Sequence, residues 1–114
     1  MIPTVKGYTK DEEVIVKYDK QAALPLAKAF KALCHPARVW IVQELVKEDH
    51  RVSYFVENIG VEFATVSRHL AKLRRAKLVT CVKKGRENWY QFNRKDAKFL
   101  NEQFLLPAGE STPT

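Results

Sequence analysis

The sequence predicts a mostly α-helical domain with one β-hairpin, arranged as a winged helix-turn-helix. Three observations carry that. Two short stretches with helical apolar spacing are joined by a glycine, Gly60, and the second has one apolar and one cationic face. Directly after it, the chain turns to two runs of β-branched and aromatic residues around Gly85. The net charge is +7 over 114 residues, and residues 51–93 alone hold nine Lys or Arg against three acids. Charge concentrated in that way suits a surface that meets phosphates, although a plain solvated face has the same composition.

Residues 1–20 are polar and read as an N-terminal arm. From Gln21 a helical period begins with Leu26, Phe30 and Leu33, and Pro25 suits a first turn. Pro36 ends that helix and starts another, to Lys47, with a wide apolar stripe of Ala37, Trp40, Ile41, Val42 and Leu45. Glu48, Asp49 and His50 form a polar break. A short helix over Ser53–Asn58 carries Phe55 and Val56, and Gly60 closes it in a left-handed turn. The next helix, Phe63–Ala76, sets Val66, Leu70 and Leu73 on one face and Thr65, Arg68, Lys72 and Arg75 on the other. Residues 78–82 and 88–92 are the hairpin strands, with a turn over Lys83–Glu87. A last helix over Lys95–Leu106 follows Asn93 as its cap, with Ala97, Leu100 and Phe104 on one face. Pro107 ends it, and 107–114 is a loose tail. The domain is therefore expected over 21–106.

A chain of this length makes one domain. It has no apolar run long enough for a membrane span and no apolar N-terminal leader, so a cytoplasmic protein is expected. Cys34 and Cys81 are too few for a disulfide scaffold, and no zinc-ligand spacing exists. Large multi-domain enzymes, secreted toxins and zinc fingers are excluded. No enzyme is expected. Ser67 and His69 are two apart on a helix and cannot face each other. Cys34 and His35 lack an orienting group, and no glycine loop for phosphates is present.

In order and local motif the chain resembles the ArsR/SmtB-type winged-helix repressors of bacteria and archaea. Three stretches carry the resemblance: FKALCHPARVWIVQEL (30–45), ATVSRHLAKLRRAKLV (64–79) and KKGRENWYQF (83–92). It covers roughly Leu26 to Phe92, and the middle stretch is the most specific. It implies a homodimer that grips a palindromic double-stranded DNA operator and lets go when an inducer, here unknown, arrives. Spare apolar faces on the first and last helices would form the dimer seam.

The resemblance also implies that the positions of Phe63, Ala64, Ser67 and Arg68 face bases. Arg can hold guanine in bidentate fashion, and Ser is a short donor and acceptor. Phe63 departs from the usual polar residue. It either touches a thymine methyl or anchors the helix in the core, and the anchor is favoured. Glu62 stands where a Ser or Thr cap is usual. Thr65, Lys72 and Arg75 are expected on the DNA backbone, and Arg74 in solvent. His69 either meets a phosphate or packs beside the turn. On the wing, Arg86 next to Gly85 would enter the minor groove, with Lys83 and Lys84 on phosphates. Trp89 and Tyr90 alternate faces, so at least one belongs to the core.

The signal is less legible. The Cys-x-Cys of metal-sensing relatives falls here on Arg51 and Ser53, and the last helix offers Asp96 and Glu102 without a histidine. Neither metal site is expected, nor any cofactor. Cys34 and Cys81 could sense oxidants as a pair if their Cα atoms lie within about 7 Å. Two separate, half-buried small residues is the favoured alternative. A winged-helix protein-interaction module that binds no DNA is the second functional class, and it would not need a basic recognition helix.

Overall fold

A computed structural model of the chain describes residues 17–97 and 100. Its elements run α1 (Lys20–Ala32), α2 (Pro36–Lys47), β1 (His50–Arg51), α3 (Val52–Ile59), α4 (Phe63–Arg75), β2 (Val79–Lys84) and β3 (Glu87–Phe92). The three strands form one antiparallel sheet in the order β1-β3-β2. Helices α2, α3 and α4 pack on each other and on this sheet, which is the winged helix-turn-helix arrangement.

Each boundary has a local cause. Asp19 starts α1, its carboxylate accepting from the backbone N–H groups of Gln21 and Ala22 at 3.0 and 3.3 Å. Pro25 thus lies in the second turn, not the first, and leaves the Gln21 carbonyl without its helical donor. His35 caps α2, with Nδ1 accepting from Ala37 N–H at 3.2 Å, and Pro36 fills the first helical position. Gly60 ends α3 at φ +77°, a left-handed conformation that glycine adopts without a Cβ penalty. Lys77 does the same work after α4 at φ +62°, and there the residue is not glycine. Lys77 N–H bonds the Arg74 carbonyl and Leu78 N–H the Leu73 carbonyl, both at 3.0 Å, which satisfies the last carbonyls of α4.

The core is Ile41, Val42, Leu45, Phe55, Val66, Leu70, Leu73, Leu78 and Val79, all essentially without solvent contact. It draws on α2, α3, α4, the α4–β2 connection and β2, so α4 is fixed by the same atoms that hold the fold together. Phe92 of β3 closes one side.

Four features differ from the sequence expectation. The polar break at 48–50 contains a short strand: His50 pairs Tyr90 and Arg51 pairs Trp89. Leu26 and Phe30 of α1 are exposed, whereas the small residues Ala29 and Ala32 face the core. The helical period of α1 is real, but small side chains are what let it lie against α4. The ladder of the hairpin reaches Lys84–Glu87, so the loop is only Gly85-Arg86, with Gly85 at φ +63° in the first position of a two-residue turn. At the C-terminal side, 94–96 is a turn, with Asp96 N–H donating to Asn93 Oδ1 at 3.3 Å. The arm up to residue 16, most of the expected last helix and the tail at 107–114 lie outside the described residues.

Candidate nucleic-acid interface

Helix α4 is amphipathic in a functional sense. Val66, Leu70 and Leu73 recur at four and three residues and are fully buried. Ala64, Arg68, Lys72 and Arg75 are exposed, and on a 3.6-residue turn they point away from that buried stripe. Arg74 lies on the flank near the sheet, where its charge reaches the Tyr90 hydroxyl. Thr65, Ser67 and His69 are half-buried. No side chain caps the helix: the Glu62 carboxylate makes no cap bond, and only its backbone carbonyl accepts from Thr65 and Val66. The positive helix end therefore stays open to an anion.

Phe63 is not an anchor. It is 62% exposed, and Val61, Glu62 and Ala64 beside it are exposed as well. The N-terminus of α4 projects beyond the core, so the apolar stripe runs out of partners before it reaches Phe63. His69 takes a place beside α2, its ring 4.5 Å from that of His35. Burial there, and then the positive charges of His35, Arg38, Lys72 and Arg68, hold its imidazole below the ordinary histidine range.

The wing is stapled to the body. Arg51 bonds Glu87 at 2.9 Å, and Gln91 Nε2 donates to Asp49 at 2.8 Å. Trp89 carries the guanidinium of Arg51 at 5.5 Å and the ammonium of Lys84 at 5.1 Å from its ring centre. Tyr90 alone of the aromatic pair packs on the core, as alternation along a strand requires. Lys83 and Arg86 are exposed at the tip, while Lys84 also lies 3.9 Å from Asp49. Sequence reasoning missed Asp49, Arg51 and Gln91 as the braces of the wing. Their signal is tertiary, because they are about 40 residues apart along the chain.

Under this surface, His50 stacks on Tyr54 with ring centres 3.8 Å apart, and the Tyr54 hydroxyl donates to the buried Glu44 at 2.6 Å. Burial pushes Glu44 up, but the Tyr54 hydroxyl and Lys47 ammonium outweigh it and hold the carboxyl below its ordinary value. Cys34 and Cys81 are free thiols, the first exposed beyond α1 and the second half-buried opposite Tyr90. Among the described residues no group of three or more His, Cys, Asp and Glu is placed to hold a metal ion. Nor is any helix among them long and apolar enough to cross a membrane.

Residues 35–80, which hold α2 through α4, match the family model described as bacterial regulatory protein, arsR family. The HTH-type transcriptional regulator KmtR of Mycobacterium tuberculosis is 30% identical over 95 residues, which is 83% of this chain and 72% of KmtR. This chain belongs to the ArsR family. Solved relatives of the ArsR-type chain include the transcriptional repressor PagR of Bacillus anthracis, at 30% identity and a TM-score of 0.61 over 73% of this chain and all of PagR. Another is a homodimeric winged helix-turn-helix DNA-binding domain from Mycobacterium bovis, at 27% identity and a TM-score of 0.64. It is matched over 74% of this chain and 80% of its own. The chain spans about half of an uncharacterised HTH-type regulator of Mycobacterium tuberculosis, 53% of it, at 38% identity over 60 residues. The ArsR-type relatives are transcriptional regulators.

Proposed function

We propose that the chain is a sequence-specific DNA-binding transcriptional regulator, acting as a cytoplasmic homodimeric repressor on a palindromic operator. One observation carries this: among the described residues Arg68, Lys72 and Arg75 on the outward stripe of α4 form no ion pair, and the wing anchored beside it ends in a second cluster of cations. Ala64, Ser67 and Arg68 read bases, with Phe63 free to meet a thymine methyl. Thr65, Lys72, Arg75, Lys83 and Lys84 hold phosphates, and Arg86 enters the minor groove. His69 sits against His35 and supports α4 from behind.

The exposed Ala23, Leu26 and Ala27 on one face of α1 support a dimer seam. Two recognition helices then stand about 34–36 Å apart, one turn of DNA. A gel shift with the promoter of the protein's own operon tests the reading. Arg68→Ala is expected to weaken specific binding by about 1–3 kcal/mol, as loss of a bidentate guanine contact does. A folded dimer with no salt-sensitive affinity for duplex DNA overturns it and leaves the protein-interaction module. Release through a thiol-linked signal would act at Cys34 and Cys81, and equal operator affinity of the reduced and oxidised protein removes that part.

A further inference from the structure

Beside the outward stripe of α4, and sharing Lys72 and Arg75 with it, lies a cleft of about 540 Å3, formed where α1, the start of α2 and the C-terminal half of α4 meet. Its walls are Lys28 and Lys31 of α1, Arg38 of α2, and Lys72 and Arg75 of α4, over a floor of two alanines. Among the described residues no carboxylate lines it. Three cations outside the cleft are paired with acids: Lys47 with Glu44 at 3.0 Å, Arg51 with Glu87 at 2.9 Å, and Lys84 with Asp49 at 3.9 Å. The five cations of the cleft have no ion pair among the described residues. Moreover Arg38 Nε is buried with no hydrogen-bond partner, a donor a folded chain rarely leaves unmet. Like charges gathered around a concave space repel one another unless an anion fills it.

We propose that this cleft is a binding site for a phosphoryl group. Arg38 lines the cleft with a planar guanidinium, and the lysines supply point charges that a multiply charged oxyanion can bridge. A phosphoryl group satisfies both, since it offers three acceptor oxygens and up to two negative charges. Two sources share that chemistry. One is a backbone phosphate of the duplex next to the one gripped by α4. The other is a free phosphorylated small molecule, which would occupy Lys72 and Arg75 and so compete with DNA. The first source rests on the function proposed above, and the second does not. Either ligand would tie α1 to α4.

The full chain is titrated with pyrophosphate in the absence of DNA, and separately with a random-sequence duplex over a range of salt concentrations. The variants are Lys28→Gln/Lys31→Gln, both exposed and outside the core, and Lys20→Gln/Lys95→Gln, exposed and away from the cleft, as a control of equal charge change. Unfolding curves confirm that each variant folds, and Arg38→Gln repeats the measurement from a second helix. A free ligand predicts saturable pyrophosphate binding that falls at least five-fold in the Lys28→Gln/Lys31→Gln variant and is unchanged in the Lys20→Gln/Lys95→Gln control. A backbone source predicts a log K against log salt slope smaller by about 0.9 in the Lys28→Gln/Lys31→Gln variant, since the one phosphate held in the cleft contributes about 0.9. Pyrophosphate binding equal in wild type and the Lys28→Gln/Lys31→Gln variant, together with an unchanged salt slope, overturns the proposal. Should the wild type bind no duplex at all, the proposed function fails, and the pyrophosphate titration still decides the cleft.

Discussion

Gly60→Ala isolates one conformational term. Gly60 sits at φ +77° between α3 and α4, and a Cβ built there meets no atom within 4 Å. Steric collision therefore contributes nothing, and the substitution reads only the cost of the left-handed backbone. That cost is about 1–2 kcal/mol for a residue with a Cβ. Loss of glycine's freedom in the unfolded chain returns about 0.4–1 kcal/mol. The net expectation is a destabilisation of about 1 kcal/mol, or roughly 4–8 °C in Tm for a domain of this size. Urea unfolding followed by circular dichroism measures it, as a lower midpoint at unchanged slope. Gly60→Asn is expected to cost less, because asparagine tolerates this conformation better than alanine. Well below the melting temperature, DNA affinity should match the wild type, since nothing pushes α4 aside. A loss above about 3 kcal/mol, beyond any backbone term here, refutes the reasoning, as does an alanine variant as stable as wild type.

Lys77→Gly tests the mirror case, for Lys77 holds φ +62° with a side chain. Relief of the left-handed strain outweighs the added chain entropy, and unfolding should show a gain of a few tenths to about 1 kcal/mol. Tyr54→Phe removes the 2.6 Å bond to Glu44 and should cost about 1.5–3 kcal/mol by urea titration, as a hydrogen bond to a charged group does. Because the Glu44 carboxyl is held below its ordinary 4.5, its contribution is present above that pH and lost as the pH falls through the lowered value. The same variant should therefore flatten the acid limb of the stability curve. His69 acts at higher pH. Its imidazole is held below 6.5, so the unfolded chain takes the proton first and stability falls as the pH drops below about 6.5. Unfolding free energies of wild type and His69→Gln between pH 5 and 7.5 check this, with the slope smaller in the variant; parallel curves would show that His69 is not the group.

The order of elements was legible in the sequence because the signals are local. Pro36 starts α2, Gly60 ends α3 and Gly85 turns the hairpin, each through backbone dihedrals fixed by one residue. The spacing of Val66, Leu70 and Leu73 likewise decided which face of α4 is buried, and with it which cations face outward. Tertiary structure alone decided the rest. It exposed Phe63, because burial depends on how far the core extends and not on the residue's apolarity. It turned Ala29 rather than Leu26 against α4, since close approach of two helices favours the smaller side chain. It paired His50 and Arg51 with β3 and gathered Lys28, Lys31 and Arg38 beside Lys72 and Arg75. Periodicity reports the neighbours a residue has along its own element, whereas a strand partner or a ring of converging charges exists only once distant segments have packed.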